Sequence, residues 1–168
     1  MKQLTRRRAI HLGTVAVAGM AGCPVGQSDR DNDGVPDQED DYPDDPAVQT
    51  QQRRISDTRN IEEDNWRYYD LRLTAPGRIM YEFAVEDGPA IDVIVIDQAE
   101  YDAFRNESPI SPYTDLTELD STGATVRGPV DSGTYTLILD NSNRGAAEPP
   151  ANLSNDVVTV DFTIETAQ

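Results

Sequence analysis

Val158-Thr159-Val160-Asp161-Phe162-Thr163-Ile164 sets an apolar side chain at every second position, with a polar one between each pair. Successive side chains of an extended chain point to opposite faces, so this run predicts a strand with one face buried and one in water. The same period of two returns at Tyr69/Leu71/Leu73, at Ile79/Tyr81/Phe83/Val85 and at Tyr135/Leu137/Leu139, with Asp70, Arg72 and Glu82 among the intervening residues. Ala90-Ile91-Asp92-Val93-Ile94-Val95-Ile96-Asp97 is apolar on both faces except at Asp92, which predicts a central strand. Turn chemistry punctuates these runs at Ala75-Pro76-Gly77, Glu86-Asp87-Gly88-Pro89 and Asp131-Ser132-Gly133. Gln98–Arg105 predicts one short helix with Ala99, Tyr101 and Phe104 as a thin apolar face, and 106–115 and 141–156 read as loops. Seven or eight strands in ~110 residues predict an all-β fold, an antiparallel, jelly-roll-like β-sandwich over 56–168.

The 168 residues carry 14 Lys or Arg and 31 Asp or Glu, a formal net charge of -17. That length holds one domain plus a tail. The acid excess excludes nucleic acid as a partner, because phosphate is repelled. Lys2 is the only lysine against 13 arginines, and aspartate outnumbers glutamate 21 to 10. An acidic, lysine-poor composition resembles the proteins of extreme halophiles, where net charge keeps the surface solvated in concentrated salt.

Residues 1–23 read MKQLTRRRAIHLGTVAVAGMAGC. Arg6-Arg7-Arg8 precedes an apolar stretch from Ile10 to Ala21 that is interrupted by Gly13 and Gly19. About 12 residues are too few to cross a ~30 Å hydrocarbon core, so 1–22 reads as an export signal peptide. Thr5-Arg6-Arg7-Arg8-Ala9-Ile10 resembles a twin-arginine signal, departing from it at Ala9, and Met20-Ala21-Gly22-Cys23 resembles a lipobox. These resemblances imply cleavage before Cys23, a lipid on its sulfur, and a protein exported and anchored to the outer face of the cell membrane. An uncleaved anchor helix with an incidental cysteine is the alternative. Cleavage removes Lys2, Arg6, Arg7 and Arg8, so the basic count falls from 14 to ten and the net charge becomes about -21 over 146 residues. His11 is lost as well. A chain with neither histidine nor lysine has no Ser-His-Asp or Cys-His device, no Schiff base and no His-rich zinc site.

Residues 24–55 lack an apolar run and are rich in Asp, Gln, Pro and Gly, so 23–55 reads as a lipidated, disordered acidic stalk. Inside it, Asp29-Arg30-Asp31-Asn32-Asp33-Gly34-Val35-Pro36-Asp37-Gln38-Glu39-Asp40 places oxygen-bearing side chains at positions 1, 3, 5, 9 and 12, with glycine at 6. Val35, at position 7, offers its backbone carbonyl. This is the spacing with which a loop wraps a hard cation in oxygens at ~2.3–2.6 Å. Asp40 in place of a longer glutamate, together with Pro36 and Pro43, sets it apart from an EF-hand. DxDxDGxPDxxDxxP, over Asp29–Pro43, instead resembles a single thrombospondin type 3 repeat, a unit also likened to dockerin loops. That resemblance implies Ca2+ held by Asp29, Asp31, Asp33, Asp37 and Asp40 with the Val35 carbonyl. A solvated acidic linker is the alternative.

Across 56–166, Trp66-Arg67-Tyr68-Tyr69, the run from Ala90 to Val95, Tyr101-Asp102-Ala103-Phe104 and Gly133–Asn141 together resemble the pre-peptidase C-terminal domain and related jelly-roll modules. The resemblance implies an accessory or binding module without catalytic residues. Trp66, Tyr68, Tyr69, Tyr81 and Tyr101 read as core and edge packing, with a carbohydrate-stacking platform as the other reading. Asp92, Asp97, Asp140 and Asn141 read as capping and turn residues, against a second metal site or a carboxylate pair. Asn106-Glu107-Ser108 and Asn152-Leu153-Ser154 match the glycosylation sequon in loops. The expectation is a non-catalytic, lipid-anchored surface module with a calcium-binding stalk, facing a surface protein or a glycan. A hydrolase's accessory subunit, or a small carboxylate-based secreted hydrolase, is the alternative.

Overall fold

Each alternating run becomes a strand in the computed structural model, which describes residues 28–150, 152 and 154–168. The signal-peptide and Cys23 expectations lie outside the described residues. The strands are β1 (Gln51–Ile61), β2 (Asn65–Leu73), β3 (Gly77–Asp87), β4 (Ile91–Asp97), β5 (Glu118–Ser121), β6 (Gly123–Val130), β7 (Gly133–Asn141) and β8 (Val158–Ala167). Between β4 and β5, a 3-10 turn at Gln98–Glu100 runs into α1 (Tyr101–Arg105), and a second 3-10 turn spans Thr114–Leu116. Two antiparallel sheets result, in the orders β1-β8-β3-β6 and β2-β7-β4-β5. Consecutive strands cross between the sheets except from β4 to β5, which is the jelly-roll arrangement.

The alternating residues meet between the sheets. Leu71, Ile79, Phe83, Val93, Leu137, Leu139, Val160, Phe162 and Ile164 are all buried in one cluster. Burying each such side chain contributes about 1.5–3 kcal/mol. The register places Phe83 opposite Phe162 and Val93 opposite Leu139. The outer face of β4 has its own cover. Ile94, Ile96 and Ile138 pack under Phe104 of α1, with Trp66, Tyr101 and Ile110 at the margin. This second small core is why β4 is apolar on both faces.

The acidic segment departs from the expectation of a free stalk. β1 begins at Gln51, ahead of the expected boundary at 56, because residues 51–55 pair with β8. Upstream, the Gln49 and Thr50 N–H groups both donate to the Gln168 carbonyl, at 3.1 and 3.0 Å, and the Gln168 N–H returns to Thr50. Val48 is buried. Arg78 of β3 forks onto Asp45, with Nη2 donating to Oδ1 at 2.8 Å and Nε 2.7 Å from Oδ2. The segment therefore ends clamped to the sandwich.

Candidate functional site

The loop from Ser28 to Tyr42 holds its aspartates by a repeated device. Asp29 Oδ2 accepts the Gly34 N–H (3.2 Å), Asp31 Oδ1 that of Asp33 (3.3 Å), Asp33 Oδ1 that of Val35 (2.7 Å) and Asp40 Oδ1 that of Tyr42 (2.7 Å). Each carboxylate thus spends one oxygen on the backbone. The other four oxygens, Asp29 Oδ1, Asp31 Oδ2, Asp33 Oδ2 and Asp40 Oδ2, are buried without a hydrogen-bond partner among the described residues. Oxygens of Asp29, Asp31 and Asp33 all lie within 4.8 Å of one another. Gly34 makes the reversal at φ +95°, a conformation L side chains rarely adopt.

Buried anionic oxygens are costly unless a cation or donors compensate them. Burial raises the Asp31 carboxyl above its ordinary value, and repulsion from Asp33, Asp40 and Asp29 adds to the rise. The donor set is all oxygen, which suits a hard cation such as Ca2+ rather than a soft metal.

Three of the five expected carboxylate ligands, Asp29, Asp31 and Asp33, bring their oxygens together; Asp40 lies near enough to repel Asp31, and Asp37 is held by other partners. Asp37 accepts from the Ser28 hydroxyl and from the Arg30 N–H (2.8 Å), with the Arg30 guanidinium 3.9 Å away. The Ser28 hydroxyl and the Arg30 N–H hold its carboxyl below the usual range. Asp37 closes the ends of the loop. Val35 follows Gly34, its N–H held by Asp33.

The remaining candidates divide between packing and loop fastening. Tyr81 is core, its hydroxyl donating to the Leu116 carbonyl at 3.0 Å. Tyr69 packs on Phe162, and Trp66 meets Phe104 edge-on at 5.5 Å. The Trp66 indole donates to the Tyr101 hydroxyl, and Arg144 lies 4.4 Å over the Trp66 ring. Of the five aromatics only Tyr68 stands open, 50% exposed, with its ring 4.4 Å from that of Tyr101.

Asp92 is fully buried and accepts N–H groups from Asp120 (2.7 Å), Ala146 (2.7 Å) and Ala147 (3.0 Å), fastening β5 and the loop after β7 to β4. Gly145 makes this approach possible, since a Cβ there would lie 1.8 Å from Asp92 Oδ2. Asp140 faces Asp92 across the β4–β7 register. Its Oδ1 accepts from the Ser142 hydroxyl, while its buried Oδ2 has no partner among the described residues. Asn141 ties its loop to the end of β1 through donations to the Ile61 and Asp156 carbonyls. Asp97 accepts from Tyr113, whose hydroxyl burial and that carboxylate push up to about 12. Asn106 and Asn152 are both exposed, and each side-chain amide donates locally, to the Asp102 carbonyl and the Asp156 carboxylate.

The fastening of the acidic segment by Arg78, Asp45, Val48 and Gln168 has no local signal in the sequence. Arg78 and Asp45 are 33 positions apart, and Val48 stands alone in a polar stretch.

No family model and no curated protein matches the sequence. Among solved structures, the chain is similar to the pre-peptidase C-terminal domain of collagenase from Bacillus anthracis, at 9% identity and a TM-score of 0.38 over 64% of this chain and 89% of that one. It is also similar to a carbohydrate-binding module from Cellvibrio mixtus lichenase 5A, solved in complex with cellotriose, at 12% identity and a TM-score of 0.34 over 73% of this chain and 92% of that one. At these scores neither bears on ligand or role, and the sandwich assignment rests on the two sheets themselves.

Proposed function

We propose that this protein is a non-catalytic surface module, exported and held to the outer face of the membrane by lipid on Cys23, with one Ca2+ ordering its acidic segment. The observation that carries the calcium reading is the set of four buried carboxylate oxygens without partners among the described residues, on Asp29, Asp31, Asp33 and Asp40. The first three of these residues bring their oxygens within 4.8 Å of one another. A divalent cation there replaces mutual repulsion with coordination. Because Asp45, Val48 and Thr50 fix the same segment to the sandwich, cation binding stiffens the joint between anchor and domain. The β-sandwich then presents its surface to an extracellular glycan or protein. Thrombospondin type 3-like calcium binding, twin-arginine export and adaptation to high salt belong to the same reading. The sequence motifs and the acidic, lysine-poor composition support them.

Expression of the full chain in a salt-requiring archaeal host tests the anchor. Intact-mass analysis of the membrane fraction is expected to find a chain beginning at lipidated Cys23, and Cys23→Ser is expected to release the protein to the medium. A membrane-bound species still beginning at Met1 contradicts the anchor.

A further inference from the structure

Ten arginines follow Cys23, and five of them stand on two strands: Arg53, Arg54 and Arg59 on β1, and Arg67 and Arg72 on β2. These are edge strands of the two sheets, and they run side by side along one flank of the sandwich. Arg53 Nη1 crosses the seam to the Asp70 carbonyl at 2.7 Å. The two strands carry five arginines against Asp57 and Asp70, a net of +3 in a chain of net -17. The acids Glu62, Glu63 and Asp64 are confined to the turn at one end. On the opposite flank, edge strands β5 and β6 carry Arg127 with Glu118 and Asp120.

Charged side chains on edge strands discourage strand-to-strand aggregation. Either sign of charge does that, so it leaves the concentration of arginine on one flank of an acidic protein unexplained. Arg54 pairs with Glu165 and Arg59 with Asp57, while Arg53, Arg67 and Arg72 have no carboxylate partner among the described residues. The seam itself is concave. A groove of about 620 Å³ is lined by Thr58, Arg59, Asn60, Arg67, Tyr68 and Tyr69. It combines guanidinium forks, a hydroxyl, an amide and the half-exposed ring of Tyr68, which Tyr101 supports from beside it.

We propose that the β1–β2 seam is a binding groove for an anionic polysaccharide, with Arg59 and Arg67 in the groove and Arg53 further along the seam holding its carboxylates or sulfates, and Tyr68 stacking on a sugar ring. Guanidinium groups bind planar or tetrahedral oxyanions through paired N–H donors. The Thr58 hydroxyl donates to Asp161 and the Asn60 side-chain oxygen accepts from Thr159. Sugar hydroxyls, which an acidic peptide lacks, are left the Asn60 amide N–H donors and the Thr58 oxygen as acceptor. Strand rise of ~3.4 Å per residue sets Arg53 and Arg59 about 20 Å apart, so the site reads several sugar units rather than one. The proposal rests on the reading of the domain as a binding module and names its ligand class.

The test is calorimetric titration of the full chain, at fixed salt and calcium, with polygalacturonate, dextran sulfate, neutral dextran and poly-glutamate. Binding is expected to one or both anionic polysaccharides, the two arms separating carboxylate from sulfate as the recognised group. Arg59→Gln with Arg67→Gln is expected to weaken it roughly tenfold or more. Arg105→Gln with Arg127→Gln, an equal charge change elsewhere, is expected to leave affinity within about twofold. Melting curves check that both pairs remain folded. Equal loss in the two pairs overturns the groove in favour of diffuse charge. Poly-glutamate binding as tightly as the polysaccharides overturns it in favour of an acidic protein partner. Binding of neutral dextran alone overturns the anionic ligand and leaves the binding-module reading standing, and binding of no probe overturns the proposal outright.

Discussion

Replacing Asp140 by Asn removes a buried charge that its surroundings compensate only in part. Burial raises the carboxyl from the ordinary 3.8 to about 6. The Ser142 hydroxyl and Arg144 pull it down, while Asp92 across the sheet pushes it up. One pH unit corresponds to 1.36 kcal/mol, so the ionised form costs on the order of 3 kcal/mol in the folded state. Below pH 4 the folded and unfolded chains both hold the proton, and the wild type and Asp140→Asn are expected to be alike. From pH 4 to 6 the folded chain keeps a proton that the unfolded chain has lost, so wild-type stability falls as pH rises. Above about 6 the loss is complete. Melting temperatures of both proteins between pH 4 and 8 isolate this group, because every other acid titrates in both. The difference in Tm is expected to grow from near zero to about 6–12 °C in favour of Asp140→Asn, at roughly 2–4 °C per kcal/mol for a domain of this size. A difference that does not vary with pH, or a variant less stable than wild type at pH 7, would refute the reasoning.

Asp92→Ala strands three N–H groups at Asp120, Ala146 and Ala147, which costs up to roughly 3–9 kcal/mol at 1–3 per unsatisfied donor, the buried Ala147 N–H contributing most. A lowered denaturant midpoint and accelerated amide exchange at those residues are the expected readouts, and unchanged exchange counts against the fastening role. Gly145→Ala drives a Cβ into Asp92 and is expected to cost about 1–3 kcal/mol by the same denaturation assay. Calcium at a hundredfold excess over Kd is expected to stabilise the whole domain by about 2.7 kcal/mol, seen as a rise in Tm. Arg78→Gln removes the fork to Asp45 and is expected to shrink that rise while leaving calcium affinity within about twofold, because the loop then binds without loading the sandwich. A full calcium-induced rise in Arg78→Gln would show that the coupling runs elsewhere.

The sheets were legible because their information is local. Period-two runs such as Val158–Ile164 state which face is buried, and Pro-Gly and Asp-Gly dipeptides state where strands end. The short helix was legible in the thin apolar face of Ala99, Tyr101 and Phe104, but not that Phe104 covers Ile94 and Ile96 of β4. The aspartate spacing likewise pointed to the loop in which Asp29, Asp31 and Asp33 bring their oxygens together. The spacing carried no sign that Asp37 also meets Ser28 and the Arg30 N–H, which become its neighbours only once the loop has closed. The clamping of the acidic segment was hidden for the same reason. It depends on Arg78 meeting Asp45 and on Gln168 meeting Thr50, contacts across the fold that leave no periodic trace. The role of Asp92 was visible only as one polar residue in an apolar strand, and the N–H groups that satisfy it come from β5 and from the loop after β7.

Calorimetric titration of the full chain with Ca2+ at constant ionic strength bears most directly on the cation-ordered segment. One saturable site per chain is expected, with Kd near the ~10⁻⁴–10⁻³ M of extracellular calcium modules, and Asp31→Asn with Asp33→Asn is expected to abolish it. Absence of saturable binding, or the same binding in the double variant, would show that the loop's acids act only as bulk charge.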